Sequence, residues 1–141
     1  MIALIDTNII LDALMNREPW VSTAQAILRA AVMEKFMGCI IASQTTDIFY
    51  LLCRQGAQEI TVKNIIQKLV ESIYVLDVTF YDVQNALAST MLDYEDGLLA
   101  YCALRHNANY IITRNELDFI QSPVTAISPL AFLKNYSNSN S

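Results

Sequence analysis

Histidine occurs once in this chain, and glycine and proline three times each. The lone His106, near the end of a helix expected on the far side from the acids, leaves no Ser/His/Asp or Cys/His triad to assemble and reads as a surface residue. So little glycine and proline predicts few, short loops. Neither a G-x-x-x-x-G-K-[ST] nor a G-x-G-x-x-G segment is present, so nucleotide-cradling folds lose their main signal. Cysteines number three (Cys39, Cys53, Cys102), scattered and without a C-x-x-C pair. They read as reduced core thiols of a cytosolic protein. The longest apolar run, 98–104, falls far short of the roughly 18 residues that a membrane span needs. The N-terminus meets a charge at Asp6, so no signal-peptide core is expected. Nine Lys and Arg against fourteen Asp and Glu leave a net charge of −5. That argues against a protein that coats nucleic acid with positive charge. It does not argue against a nuclease that sets metal ions between its carboxylates and a phosphate.

What is abundant is apolar matter: 54% of the 141 residues, with 16% charged. That excludes a disordered chain and suggests a sheet buried on both faces. The length suits one domain, here expected over 1–134, followed by a polar, disordered tail at 135–141. Ile2-Ala3-Leu4-Ile5 reads as a buried strand running into the polar cluster Asp6-Thr7-Asn8 and a helix start. Ser22 and Gln25 resemble a capping box opening a helix to about Lys35. Residues 38–42 read as a second strand and 43–54 as a helix. From Thr61, Val62, Ile65, Ile66, Leu69, Val70 and Ile73 fall on one helical face. Tyr74-Val75-Leu76 is a third strand. Thr79 and Asp82 cap a helix over about 81–92. Asp93-Tyr94-Glu95-Asp96 opens another, apolar on all sides and therefore expected to be central. Tyr110-Ile111-Ile112 and 124–127 complete the strands, and Ser128-Pro129 starts a short last helix. Strands alternating with helices specify a three-layer α/β/α sandwich around a parallel sheet of four to five strands.

Sites in open parallel sheets form beyond the carboxyl ends of the strands. There the sequence puts Asp6, Thr7 and Asn8, then Ser43 and Asp47, then Thr113, Arg114, Asn115 and Asp118, with Asp93, Glu95 and Asp96 opening the helix before the fourth strand. Carboxylates so close repel one another, and a divalent cation removes that cost. Oxygen ligands without His or Cys suit Mg²⁺ or Mn²⁺ rather than Zn²⁺. Each acid also has a structural reading. Asp6 could cap the first helix, Asp93 could cap its own with Asp96 three residues on, and Asp47 could serve a helix dipole. Asn115 could cap a short helix with Asp118 in its first turn. Asp96, one turn inside an apolar helix, is the acid for which function is favoured.

Three motifs in this order resemble the PIN domain family: Asp6-Thr7-Asn8-Ile9-Ile10-Leu11-Asp12 after the first strand, Asp93-Tyr94-Glu95-Asp96 before an Ala-rich helix, and the segment from Tyr110 through Thr113-Arg114-Asn115 to Asp118-Phe119. The likeness covers the chain to about Leu133, and its size is similar to that of VapC-type toxins of toxin–antitoxin pairs. The resemblance implies a Mg²⁺- or Mn²⁺-dependent ribonuclease. Asp6 matches the first family acid and Asp96 the third. Asp47 stands where the second is commonly Glu. Asn115 stands where the fourth often follows Thr-Arg, with Asp118 three residues on to share the role. Thr113 matches the family's hydroxyl residue, with Thr7, Asn8 and Asp93 in support.

The implied mechanism has Asp6 and Asp96 ligating the metal, Asn115 or Asp118 completing the set through water, and a bound water attacking phosphorus. Arg114 and Arg17 are candidates for phosphate contact or plain surface charges. The partners implied are an RNA substrate, an antitoxin laid across the acids, and a second copy in a homodimer, in the cytoplasm. Two rivals stand beside this reading. One is a PIN-like module that binds RNA or protein without cutting. The other is a phosphotransferase of the haloacid-dehalogenase type. Its D-x-D motif is broken by Asn8, and its later lysine is missing, since no Lys lies between Lys68 and Lys134.

Overall fold

The computed structural model describes the backbone of residues 1–139 and the side chains of residues 1–136. Five strands form one all-parallel sheet: β1 (Ile2–Ile5), β2 (Met37–Ile41), β3 (Tyr74–Leu76), β4 (Tyr110–Ile112) and β5 (Ala126–Ile127), in the order β3-β2-β1-β4-β5. Both faces of β1 are buried, so the strand is apolar without alternation. Ala3 and Ile5 join one core layer and Leu4 the other.

The first layer packs α1 (Thr7–Leu14), α2 (Val21–Val32), α3 (Gln44–Arg54), α4 (Glu59–Ser72) and α7 (Pro129–Ser139) on one face of the sheet. The second packs α6 (Tyr94–Arg105) on the other face, with α5 (Phe80–Ala88) lying against α6 and a 3-10 helix (Glu116–Phe119) beside it. This is the expected α/β/α sandwich. Gly38 marks a close approach. A Cβ there would lie 2.5 Å from the Cβ of Ala31, so any side chain would push α2 off the sheet.

The chain walks from β1 outward to β3, then returns to place β4 on the other side of β1. The carboxyl ends of β1 and β4 therefore flank the switch point of the sheet, where such folds open a crevice. Asp6 leaves the end of β1, its N–H donating to the Ile112 carbonyl at 3.0 Å. Thr113 leaves the end of β4, its N–H donating to the Ile127 carbonyl at 3.0 Å.

Several local expectations need correction. Ser22 and Gln25 form no capping box. Trp20 holds the N-cap position of α2, and the Gln25 amide donates instead to the Ala13 carbonyl and to Asn16. That helix stops at Val32, and Glu34 takes a positive φ of 55° two residues on. The helix capped by Thr79 and Asp82 ends at Ala88, four residues before the expected end. Helix α6 is not buried all round, because Tyr94 and Leu104 face solvent. Cys53 is only half-buried, while Cys39 and Cys102 are core thiols. The tail expected from 135 is helical as far as Ser139, and positions 140 and 141 lie outside the described residues. Among the described residues no helix is long and apolar enough to cross a membrane.

Candidate functional site

A cleft at the switch point is lined by Asp6, Thr7, Asn8, Leu51, Asp93, Glu95, Asp96, Asn115, Asp118 and Phe119, enclosing about 260 Å³. Its floor is built by strand ends and its walls by helix starts. Asp6 takes the N-cap position of α1, but its carboxylate makes no capping bond. The Thr113 hydroxyl donates to Asp6 Oδ2 at 2.7 Å, across the β1–β4 seam. The capping reading of Asp6 is thereby set aside. Burial raises the Asp6 carboxyl above its ordinary range, and the bonds from Thr113 and the Thr7 backbone oppose that only in part.

Asp93 does what its structural reading asks. Its Oδ1 accepts from the Asp96 N–H at 2.9 Å and caps α6, while the residue also borders the cleft. Asp96, half-buried one turn in, is pushed up to about 7, by burial first and then by the charges of Asp93, Asp6, Asp118 and Glu95. Asn115 sits at the start of the 3-10 helix without a side-chain capping bond. Its N–H donates to Thr113 Oγ1 at 3.0 Å, and its carbonyl accepts from the Asp118 N–H at 3.0 Å. Asn115 and Asp118 thus share one turn facing the cleft.

Asp47 lies one turn inside α3, against Glu95 rather than on the cleft wall. Burial raises the Glu95 carboxyl, and the charge of Asp47 raises it further. Glu95 is the acid that the sequence places at this end of the sheet without giving it a role. Its signal was its place in the same turn as Asp96. Gln44 was missed as well. Buried at the end of β2, it donates to the Ile5 carbonyl at 2.8 Å and to the Thr7 hydroxyl at 3.1 Å, and accepts from the Ile41 N–H at 2.7 Å. It ties β1 to β2 directly beneath Asp6.

The two arginines offered for phosphate contact both point toward α1 rather than into the cleft. Arg114 Nε donates to Asp12 Oδ2 at 2.9 Å, and Arg17 Nη1 lies 3.7 Å from Asp12 Oδ1. Both turn to one buried acid, Asp12, which the sequence reading quoted in its motif and gave no role.

The donor set around the cleft is carboxylate, amide and hydroxyl oxygen, without imidazole or thiolate, which suits a hard dication. Among the described residues no group of three or more acidic, histidine or cysteine side chains is already arranged to hold an ion. Mg²⁺ does not require such a cage. It keeps several of its waters and is commonly bound by one or two carboxylates together with substrate phosphate. The residues present fit that mode.

A family model described as PIN domain matches residues 3–117. No curated protein sequence matches the chain. Solved structures do. VapBC2 from Rickettsia felis, bound to a DNA fragment from its promoter, superposes with a TM-score of 0.68 at 16% identity, over 91% of this chain and 98% of that one. VapBC-1 from nontypeable Haemophilus influenzae gives 0.70 at 20% identity, over 92% and 99%. A toxin–antitoxin complex from Klebsiella pneumoniae gives 0.68 at 20%, over 90% and 97%. At these identities the likeness is one of fold.

Proposed function

The chain belongs to the PIN domain family, and from that premise we propose that it is a Mg²⁺- or Mn²⁺-dependent endoribonuclease, acting in the cytoplasm as the toxin of a toxin–antitoxin pair. The observation that carries the reading is electrostatic. Asp6, Glu95 and Asp96 meet at the switch point, each raised first by desolvation, and Glu95 and Asp96 further by neighbouring acids. Among the described residues none of them is ion-paired with a Lys, Arg or His. Such a cluster is costly as it stands and is relieved by a dication.

Asp6 and Asp96 are the proposed direct ligands, with Asn115 and Asp118 completing the set through water, and Asp47 acting from behind Glu95. The ion, when bound, supplies a lowered pKa for water and offsets charge on the phosphate oxygens. The protein's own part is positioning. The Thr113 hydroxyl fixes Asp6 Oδ2 and leaves Oδ1 to a ligand. The Thr7 hydroxyl is held by Gln44, and Asp93 fixes the first turn of α6 so that Asp96 faces Asp6. The RNA strand is the proposed occupant of the cleft, a basic antitoxin segment its competitor, and a second copy the partner in a homodimer.

The purified protein is expected to cleave single-stranded RNA with Mg²⁺ or Mn²⁺ and to stop with EDTA. Cleavage that survives both EDTA and Asp6→Asn would assign the activity elsewhere. The second reading, a PIN-like module that binds without cutting, draws support from the neutral Asn115 and the absence of a closed cage among the described residues. A protein that binds Mn²⁺ and RNA with no cleavage would establish it.

A further inference from the structure

Arg114 stands between Thr113 and Asn115, the two residues that carry β4 into the cleft, yet its guanidinium points away from both. Nε and Nη2 donate to Asp12 Oδ2 and Oδ1 at 2.9 and 3.4 Å, a two-point grip on one carboxylate. On its other side the guanidinium carbon lies 3.9 Å from the ring centroid of Trp20. Asp12 is 0% exposed and belongs to α1, the helix whose N-cap is Asp6. Trp20 caps α2. One guanidinium therefore joins α1, the start of α2 and the segment after β4.

We propose that Asp12, Arg114 and Trp20 form a positioning latch, which holds Thr113 and Asn115 against Asp6 and takes no part in phosphate contact. The proposal rests on the reading of the cleft as the functional site. A buried carboxylate is costly unless matched, and an apolar residue would fill the space in α1 as well. What the pair adds is direction. A forked, stacked guanidinium has one orientation, and fixing it fixes the backbone on either side. Along that segment the buried Thr113 meets Asp6, Arg114 turns to α1, and Asn115 returns to the cleft wall. The Asn115 N–H bond to Thr113 Oγ1, at 3.0 Å, is the contact that loosens first if Arg114 is released. Lysine keeps the charge but offers neither the fork nor the flat stacking face.

The test compares the full chain with Arg114→Lys, Trp20→Leu and Asp12→Asn by amide hydrogen exchange of the metal-free protein and by calorimetric titration with Mn²⁺. Arg114 and Trp20 are partly exposed, so their variants are expected to fold even if Asp12→Asn does not. In Arg114→Lys the Asn115 amide is expected to exchange about tenfold faster while the Leu4 amide in the sheet is unchanged, and Mn²⁺ to bind about tenfold more weakly. Trp20→Leu moves both in the same direction by less. An unchanged Asn115 exchange rate overturns the latch. If in addition Arg114→Lys raises only the KM for RNA, the arginine is a phosphate contact after all. Should the parent protein bind no Mn²⁺, the functional reading falls, and the exchange of Asn115 alone still decides the latch.

Discussion

Two sets of acids in this molecule are treated in opposite ways. Asp12 and Asp82 are 0% and 1% exposed, and each is met by arginine. Asp82 takes Arg105 Nε and Nη2 at 2.9 and 3.0 Å and the Thr79 N–H at 2.9 Å. Burial alone would raise its carboxyl, but those bonds and the arginine charge outweigh it and hold it below the ordinary range. At the switch point the same functional group is raised, at Asp6, Glu95 and Asp96. The fold therefore has the means to pair a buried acid and uses them away from the cleft. Where it does not, the proposed dication would supply the missing positive charge.

Neutralising an acid should separate the two sets, and the largest effect is expected on activity. Asp96→Asn is predicted to lower RNA cleavage by roughly a thousandfold, about 4 kcal/mol of barrier, while leaving the metal-free melting temperature equal or higher. A clear fall in that temperature would mean that Asp96 holds the helix start instead. At Asp82 the sign reverses. Asp82→Ala strands Arg105, and chemical denaturation should report a loss of about 2–3 kcal/mol, discounted because the arginine is partly exposed.

Acidity sharpens the comparison further. A carboxyl whose pKa is raised on folding stabilises the fold below its unfolded value, and that contribution is lost as pH rises through its folded value. Asp96, at about 7, sets the upper end of the window. The metal-free melting temperature is therefore expected to fall between about pH 4 and pH 7, with Asp96→Asn flattening the slope. Asp82, lowered rather than raised, acts below that window. A flat profile for the parent protein would show the cleft acids to be adequately solvated. The smallest effect separates Asn115 from Asp118. The charged oxygen interacts more strongly with a dication, so Asp118→Asn should weaken Mn²⁺ binding by several-fold and Asn115→Ala by less, as read by calorimetry.

The sequence made the sheet legible because its strands are short apolar runs, the central ones buried on both faces. Tyr74–Leu76 and Tyr110–Ile112 could be bounded to the residue. Boundaries slipped where no local signal marks them, as at Ala88, where α5 simply stops. The cleft was legible for a topological reason. Polar residues directly after parallel strands have one place to go, and Asp6, Thr7, Asn8, Asn115 and Asp118 are there, joined by Asp93 and Asp96 from the start of α6. The partners of those residues were not legible. Nothing in Thr113-Arg114-Asn115 says which side chain turns inward, so the arginine was aimed at a phosphate when it reaches back to α1. The available clue was Asp12 itself. A lone charge inside Ile-Ile-Leu-Asp-Ala-Leu needs a cation, and the sequence holds few. Gln44 carried no such clue, since a polar residue at a helix start looks like any other until its amide is seen bridging β1 and β2.

The unpaired acids of the cleft are the proposed seat of a dication, and calorimetric titration of Mn²⁺ into the metal-free protein at neutral pH tests this most directly. Saturable binding is expected, accompanied by proton release because Asp96 is partly protonated beforehand, and lost in Asp6→Asn and Asp96→Asn but kept in Asp82→Asn. Absence of binding to the parent protein, or equal binding by the Asp6 and Asp96 variants, would contradict it.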